Sequence, residues 1–253
     1  MELVAEGRMA EVYTYGDGQV VKLDRPEWSG VSAFESDVLI RLDQAGLPVA
    51  RCHGVVTIDG RCGVVLDRVE GRPLSAHLLE AEGDAVAALA ARFAALGSTI
   101  NRTAMKGLPD LVSRLAGELG QSGLAPELAA ELGELLLQID DGQRGVCHFD
   151  FHPENVLVGP DRWVVIDWLT VASGPPAADL ARTLVLWGHN DAPPVPAFMR
   201  EVRRLGLAQR QVGVADCDAW IRVVAGARLA EGFEGADADR LRALAAGRIR
   251  LPA

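Results

Sequence analysis

His148-Phe149-Asp150-Phe151-His152-Pro153-Glu154-Asn155 runs into Val156-Leu157-Val158, a Gly159-Pro160-Asp161-Arg162 turn, and Trp163-Val164-Val165-Ile166-Asp167-Trp168. The two short apolar runs around a Gly-Pro break predict a β-hairpin. Ahead of it, Pro153 stiffens the loop and biases His152 towards an extended conformation. A hairpin returns its second strand beside its first, so Asp167 is expected close to Asn155. Asp150 stands five residues before Asn155 on the stiffened loop. One carboxylate to orient and deprotonate a hydroxyl, and an amide oxygen with a second carboxylate to hold magnesium against phosphates, is a layout suited to phosphoryl transfer.

The pattern H-x-D-x-H-P-x-N followed by I-D-W resembles the aminoglycoside phosphotransferase and choline kinase family, distant relatives of the protein kinases. The loop is also similar to the protein-kinase H-R-D-x-x-x-x-N signature, with Ile166-Asp167-Trp168 standing where those enzymes carry Asp-Phe-Gly. Alone, an Asp or Asn in a loop is most often a turn or cap residue. The functional positions and their hairpin context together make the structural explanation the poorer one. The resemblance implies that Asp150 is the catalytic carboxylate and that Asn155 and Asp167 are the metal ligands. ATP and Mg2+ are the implied cofactors. His148 is expected to brace the loop, and His152 sits where many protein kinases carry a lysine.

The family's nucleotide-binding half is expected at the N-terminus. Leu3 to Tyr15 and Gln19 to Leu23 read as strands, and Asp17-Gly18 between apolar runs is a hairpin signal. The turn from Gly7 to Ala10 would cover the nucleotide phosphates, although it holds one glycine where protein kinases have G-x-G-x-x-G. On strand alternation alone, Lys22 would face water. In its Val20-Val21-Lys22 context it resembles the kinase V-A-I-K lysine, which implies contact with the α- and β-phosphates. A helix is predicted from about Val31, with Phe34, Val38, Leu39 and Leu42 on its apolar face. Glu35 precedes Leu39 and Leu42 in a pattern similar to the family's E-x-x-x-L-x-x-L, so it is the expected ion-pair partner of Lys22. Asp37 is the competing carboxylate. Ala45-Gly46-Leu47-Pro48 stops the helix. Two strands, Ala50 to Ile58 and Cys62 to Leu66, complete five. The stretch Asp67 to Leu74 resembles the connection between lobes, implying that backbone groups of Asp67 to Val69 bind adenine.

The expected fold class is therefore α+β: a protein-kinase-like two-lobed fold with a five-stranded antiparallel sheet plus helix, then a mostly helical lobe. The expected division is residues 1–68 for the nucleotide-binding lobe and 69–253 for the lobe of the catalytic loop and acceptor. Helices are predicted over Ala85 to Leu96, Glu127 to Ile139, Leu180 to Trp187, Ala197 to Leu205, Cys217 to Gly232 and Asp237 to Ile249. Pro175-Pro176 followed by Asp179 is good helix-start chemistry, and the family resemblance adds a bracing role for Asp179. Asp191, Asp216, Asp218, Glu231, Glu234 and Trp220 form the pool from which an acceptor pocket would draw, each having an ordinary surface or cap explanation as well.

Composition narrows the partners. A formal charge of −10 without a Lys/Arg-rich stripe argues against nucleic acid. It is compatible with a cationic acceptor, though most of that acidity is ordinary solvated surface. No apolar run reaches the roughly 18–20 residues needed to span a bilayer, and the Met1-Glu2-Leu3-Val4-Ala5-Glu6 start lacks signal-peptide character. Four scattered cysteines, Cys52, Cys62, Cys147 and Cys217, form no zinc spacing and read as free thiols. A cytoplasmic, GC-rich bacterial protein, monomer or homodimer, is the expectation. Its expected activity is ATP-dependent transfer of the γ-phosphate to a small-molecule hydroxyl, with an aminoglycoside-like antibiotic first. The alternatives are a choline-like or thiamine-like alcohol or a sugar, and a catalytically silent nucleotide-binding module. The silent module predicts loss of Lys22, Asp150, Asn155 or Asp167, and all four are present. A protein kinase is disfavoured because no Ala-Pro-Glu segment follows Asp167.

Overall fold

The computed structural model describes residues 1–252; Ala253, last of the expected second lobe, lies outside them. Internal contacts divide the chain into two units: Met1–Ser75 with Pro153–Leu169, and Ala76–His152 with Thr170–Ala253. The class is mixed α+β, as the hairpin and the helical C-terminal pattern require.

Unit 1 carries a five-stranded antiparallel sheet of β1 (Leu3–Glu6), β2 (Ala10–Tyr15), β3 (Gln19–Asp24), β4 (Cys52–Ile58) and β5 (Arg61–Asp67), in the order β1-β2-β3-β5-β4. Successive side chains on a strand face opposite sides. Val21 and Leu23 therefore share one face with Val65, packed by Tyr13, Tyr15, Val56 and Ile58, and Lys22 between them turns to the other. Helix α1 (Val31–Gln44) buries Ser32, Glu35, Ser36, Val38, Leu39 and Leu42. Phe34, expected on that face, is 36% exposed. The helix is rotated so that Glu35 is inside, because Lys22 supplies a charge partner that Phe34 could not use.

A second sheet in unit 1 joins β6 (Arg72–Pro73), β8 (Val156–Val158) and β9 (Trp163–Val165), in the order β6-β8-β9. The predicted hairpin is present, with Val156 opposite Val165 and Val158 opposite Trp163. Strand β6 is an element that the residue pattern did not announce. It exists because Gly71 and Gly159 let two backbones meet: a Cβ on Gly71 would lie 2.7 Å from the Val158 carbonyl oxygen, and one on Gly159 would lie 2.6 Å from that of Glu70. The Val165 N–H also donates to the Pro48 carbonyl at 2.7 Å. These bonds place the hairpin in unit 1, which differs from the contiguous division at residue 68 expected from sequence order.

Unit 2 is mostly helical: α3 (Asp84–Arg102), α4 (Leu111–Gln121), α5 (Pro126–Ile139), α6 (Pro176–Trp187), α7 (Val195–Arg210), α8 (Val214–Arg228) and α9 (Gly235–Ala245). The short α2 (Leu74–Leu79) carries the chain from unit 1 into it. Helix α3 runs six residues beyond the expected Leu96. Helix α6 begins at Pro176, where a missing N–H costs nothing. Strand β7 (Gly145–Cys147) pairs antiparallel with β10 (Ala172–Gly174), a ladder too short to signal itself in the sequence. The core of the unit gathers Phe93, Phe151, Phe198, Trp220 and Leu132, all buried, with Phe93 and Phe151 stacked at 4.3 Å. Trp220, one of the proposed pocket residues, is 2% exposed and is a core residue. The four cysteines are free. No helix among the described residues is long and apolar enough to cross a membrane.

Candidate active site

Unit 1 gathers Lys22, Glu35 and Asp167. Lys22 Nζ donates to Glu35 Oε1 at 2.8 Å and to Asp167 Oδ1 at 3.0 Å. The helix start is fixed from the same strand. Asp24, two residues after Lys22, accepts from the Gly30 N–H at 2.9 Å and from the Ser32 N–H and hydroxyl. That anchor sets where α1 begins, and Glu35, one turn further on, comes back to Lys22. The competing Asp37 instead pairs with Arg41 on the surface. Burial pulls the Lys22 ammonium towards the neutral form, but Glu35 and then Asp167 outweigh it and hold its pKa above the ordinary lysine value. Burial pushes the Glu35 carboxyl up, against the pull of Lys22.

Asp167 sits just past the end of β9 with a φ of 62°. A non-glycine residue in this left-handed region costs about 1 kcal/mol or more and persists only where its surroundings impose it. Here the Ile166 N–H is tied to the Asn155 carbonyl at 3.0 Å, and the Trp168 indole N–H donates to the Val165 carbonyl at 3.0 Å. The bonded residues on either side turn the Asp167 side chain towards Lys22 and leave it 42% exposed. Asn155 is buried at the entry to β8. An amide oxygen and a carboxylate are the hard donors that magnesium takes, usually alongside water and phosphate oxygens. The donor set fits that ion, and no cluster of three or more His, Cys, Asp or Glu ligands lies among the described residues.

Asp67 and Val69 lie apart from this group, at and just beyond the end of β5. The Asp67 carboxylate meets His53 Nε2 at 2.6 Å. The backbone N–H groups of Asp67 and Arg68 are spent on the Arg51 and Gly18 carbonyls. Any adenine contact from Asp67 must therefore use its carbonyl.

Unit 2 holds Asp150. Its neighbour Phe149 is also left-handed, at a φ of 61°, and the side chains that impose this were only partly legible. The Phe149 N–H donates to Asp179 Oδ1 at 2.8 Å, and its carbonyl accepts from Arg182 Nε at 3.2 Å. The ring lies beneath two guanidiniums, Arg114 at 4.7 Å and Arg182 at 5.1 Å. This explains why a bulky Phe149 is accommodated: its face is a cation–π platform. Asp179 also accepts from Asn101 Nδ2 at 2.7 Å, which bonds the Val146 carbonyl at 2.9 Å. Thr170 and Thr183 hydroxyls hold the His148 and Phe151 carbonyls, each at 2.7 Å. Asn101 escaped sequence reasoning, yet it had a signal. It lies in phase with Phe93, Ala94, Gly97 and Ser98 on the buried face of α3, a polar residue on a stripe meant for the core.

His148 is fully buried, and its Nδ1 accepts from the Asp150 N–H at 3.1 Å. His152 Nε2 stands 3.6 Å from Asp150 Oδ2, an ion-pair distance, and its ring stacks 6.3 Å from Trp187. Burial pushes the Asp150 carboxyl up, but His152, with His148 and Arg182, overcomes it and brings its pKa down to about 2. Asp150 is thus ionised throughout the physiological range. An ionised carboxylate accepts hydrogen bonds and donates none.

Two predictions follow from these contacts. Asp179→Ala strips acceptors from the Phe149 N–H and the Asn101 amide in a buried setting. It should cost about 3 kcal/mol, a fall in Tm of roughly 6–12 °C, measurable by calorimetry. In His152→Asn the Asp150 pKa should rise by about one unit, since burial is then less opposed. A carbon-13 carboxyl titration of both proteins reads this directly, and an unchanged midpoint contradicts it. The sign for stability agrees: a depressed carboxyl contributes above the ordinary carboxylate range, and the contribution is lost as pH falls towards about 2.

The proposed acceptor carboxylates fare unevenly. Asp218 is paired with Arg203 at 2.5 Å, and Glu231 with Arg182 at 2.7 Å and Arg228 at 3.4 Å. Asp216 lies in the first turn of α8, Glu234 precedes α9, and Asp191 borders a small cleft beside α7.

Comparison with known proteins agrees with this architecture. The sequence profile of the phosphotransferase enzyme family (APH) matches residues 1–211. Among solved structures, an aminoglycoside-3'-phosphotransferase of type VIII is similar over 91% of this chain and 90% of its own, at 21% identity and a TM-score of 0.64. An aminoglycoside phosphotransferase from Streptomyces rimosus covers 89% and 92%, at 18% identity and a TM-score of 0.65. A choline kinase from Cryptosporidium parvum covers 97% and 87%, at 12% identity and a TM-score of 0.61. Among curated proteins no sequence matches. A kinase-like α+β fold, with the family profile spanning most of the chain, places this protein in the phosphotransferase enzyme family. It is an enzyme, a small-molecule phosphotransferase.

Proposed function

We propose that the protein transfers the γ-phosphate of ATP, in the presence of magnesium, to a hydroxyl group of a small molecule. The observation that carries this reading is the buried Lys22–Glu35 pair, with Asp167 on the same ammonium. A lysine held charged by a buried glutamate is what a nucleotide's α- and β-phosphates require. Asn155 and Asp167 would hold the metal, which supplies neutralising charge at the phosphates. The carbonyl of Asp67 and the N–H of Val69 would meet the adenine edge. On unit 2, Asp150 would orient the acceptor hydroxyl and accept its proton. His148 and Asp179, through the Asp150 and Phe149 amides, would keep that carboxylate in place. Phosphoryl transfer depends chiefly on positioning and electrostatics, so these few groups are enough.

For the acceptor, an aminoglycoside-like antibiotic is the first class, supported by the family and by the formal charge of −10. A less cationic hydroxyl compound, such as a choline-like or thiamine-like alcohol or a sugar, is the second. The pairing of Asp218 and Glu231 with arginines favours it, because those carboxylates are already neutralised. The test is magnesium-dependent ADP release across a panel of aminoglycosides, amino alcohols and sugars. Turnover stimulated by one chemical class names the acceptor. Absence of ATP binding by calorimetry, with magnesium present, overturns the reading.

A further inference from the structure

A second concavity lies wholly within unit 2, where the end of α3, the segment leading into β7 and the end of α7 meet. It encloses about 500 Å³, in the range of small-molecule sites. Arg102, Arg144 and Arg210 line it, with Gln143, Gln209 and Gln211, and no carboxylate is among its lining residues. In a chain with ten more acidic than basic side chains, such a lining is not what surface composition alone would produce.

The charge balance inside it is incomplete. Arg144 is matched by Asp140 at 2.8 Å and Asp110 at 3.4 Å. Arg102 bonds only the Ser98 and Thr99 hydroxyls, at 2.6 and 3.3 Å. Arg210 donates to Asn101 Oδ1 at 2.8 Å and to the Gly206 carbonyl at 3.3 Å. Neither Arg102 nor Arg210 has a carboxylate at ion-pair distance among the described residues. A guanidinium removed from water without a counter-ion is costly, and Arg210 is largely buried, with burial drawing its pKa down. Guanidinium groups and side-chain amides converging on one cavity match the oxygens of a phosphate or carboxylate, which arginine grips with two parallel bonds.

We propose that this cavity binds a small molecule bearing two or more oxyanion groups, seated on Arg210 and Arg102 and distinct from the nucleotide. Such a ligand would reach the catalytic loop through named bonds. Arg210 holds Asn101, Asn101 holds Asp179, and Asp179 holds the amide of Phe149 beside Asp150.

The test uses the full chain at constant ionic strength, titrated calorimetrically with inorganic pyrophosphate and, separately, with citrate. Chloride serves as the blank. Saturable binding of one probe is expected, weakened about tenfold in Arg102→Gln by loss of a charge-assisted contact. Arg102 is exposed, so the variant should fold, which its melting curve checks. Hydrogen exchange should slow over the ends of α3 and α7 when the probe binds. Preference for pyrophosphate assigns a phosphorylated ligand, and preference for citrate a polycarboxylate. No saturable binding of either probe, or binding of equal strength in Arg102→Gln, overturns the proposal. Neither result bears on ATP turnover, so the proposed phosphotransfer stands or falls separately.

Discussion

Asp150→Asn is expected to lower kcat by about 10³-fold, within the range of a lost general base and orienting group, while nucleotide affinity changes little. The substitution keeps size and removes charge. In the folded protein Asp150 is ionised, with a pKa of about 2, because His152, His148 and Arg182 overcome the effect of burial. An amide in its place cannot accept the hydroxyl proton, and its NH2 group would point a donor at the hydroxyl. The partners on unit 2 remain: Asp179 still accepts from the Phe149 N–H, so the loop should keep its shape, while loss of the depressed carboxylate's favourable interactions should lower Tm by several degrees. Steady-state kinetics with ATP calorimetry separates the outcomes. A variant with near-native kcat would remove Asp150 from the reaction, and a variant that neither folds nor binds ATP would make its role structural.

The second large effect concerns Lys22. Its removal in Lys22→Met leaves Glu35, 3% exposed, without its ion-pair partner. Breaking a buried pair from one side costs about 3–5 kcal/mol, a Tm loss of roughly 6–20 °C. Replacing both partners should behave differently. In Lys22→Met/Glu35→Leu no charge is stranded, so most of the lost stability should return. Activity should not return, because the proposed phosphate contact is gone; loss of one such electrostatic group costs about 10²–10³ in kcat. The single variant should also recover part of its deficit at lower pH, where Glu35 can protonate, and the double variant should not. Equal stability of single and double variants would show that the pair is not what holds α1 against the sheet.

Much of this was legible in the residues. The hairpin after Asn155 was set by two apolar runs around Gly159-Pro160, and it pairs as expected, Val156 with Val165. Alternation and Asp17-Gly18 defined β2 and β3, and the 3.6 periodicity defined most helices. The periodicity failed on Phe34 for an instructive reason. Apolar spacing ranks residues by hydrophobicity alone, and a glutamate with a buried lysine opposite can displace a phenylalanine from the inner face. The spacing of Lys22, Glu35 and Asp167 along the chain, 13 and 145 residues, says nothing of their meeting. The family pattern implied the Lys22–Glu35 pair, and the bond from Lys22 to Asp167 emerged only in the folded chain.

What the sequence by itself determined was local: where turns fall, which runs are strands or helices, and which polar residues stand beside them. Those features depend on neighbours a few positions away, and short-range sterics and periodicity suffice to read them. Only the tertiary structure decided the rest. Strand β6 and the β7–β10 ladder are two and three residues long, too short for propensity to act, and β6 exists because distant backbones approach at Gly71 and Gly159. The left-handed Phe149 and Asp167, the hold of Asn101 on Asp179, and the arginines of the second cavity arise from contacts between residues far apart in the chain. Such contacts carry no periodic signature, because the energy that selects them is long-range packing and charge pairing rather than local conformation.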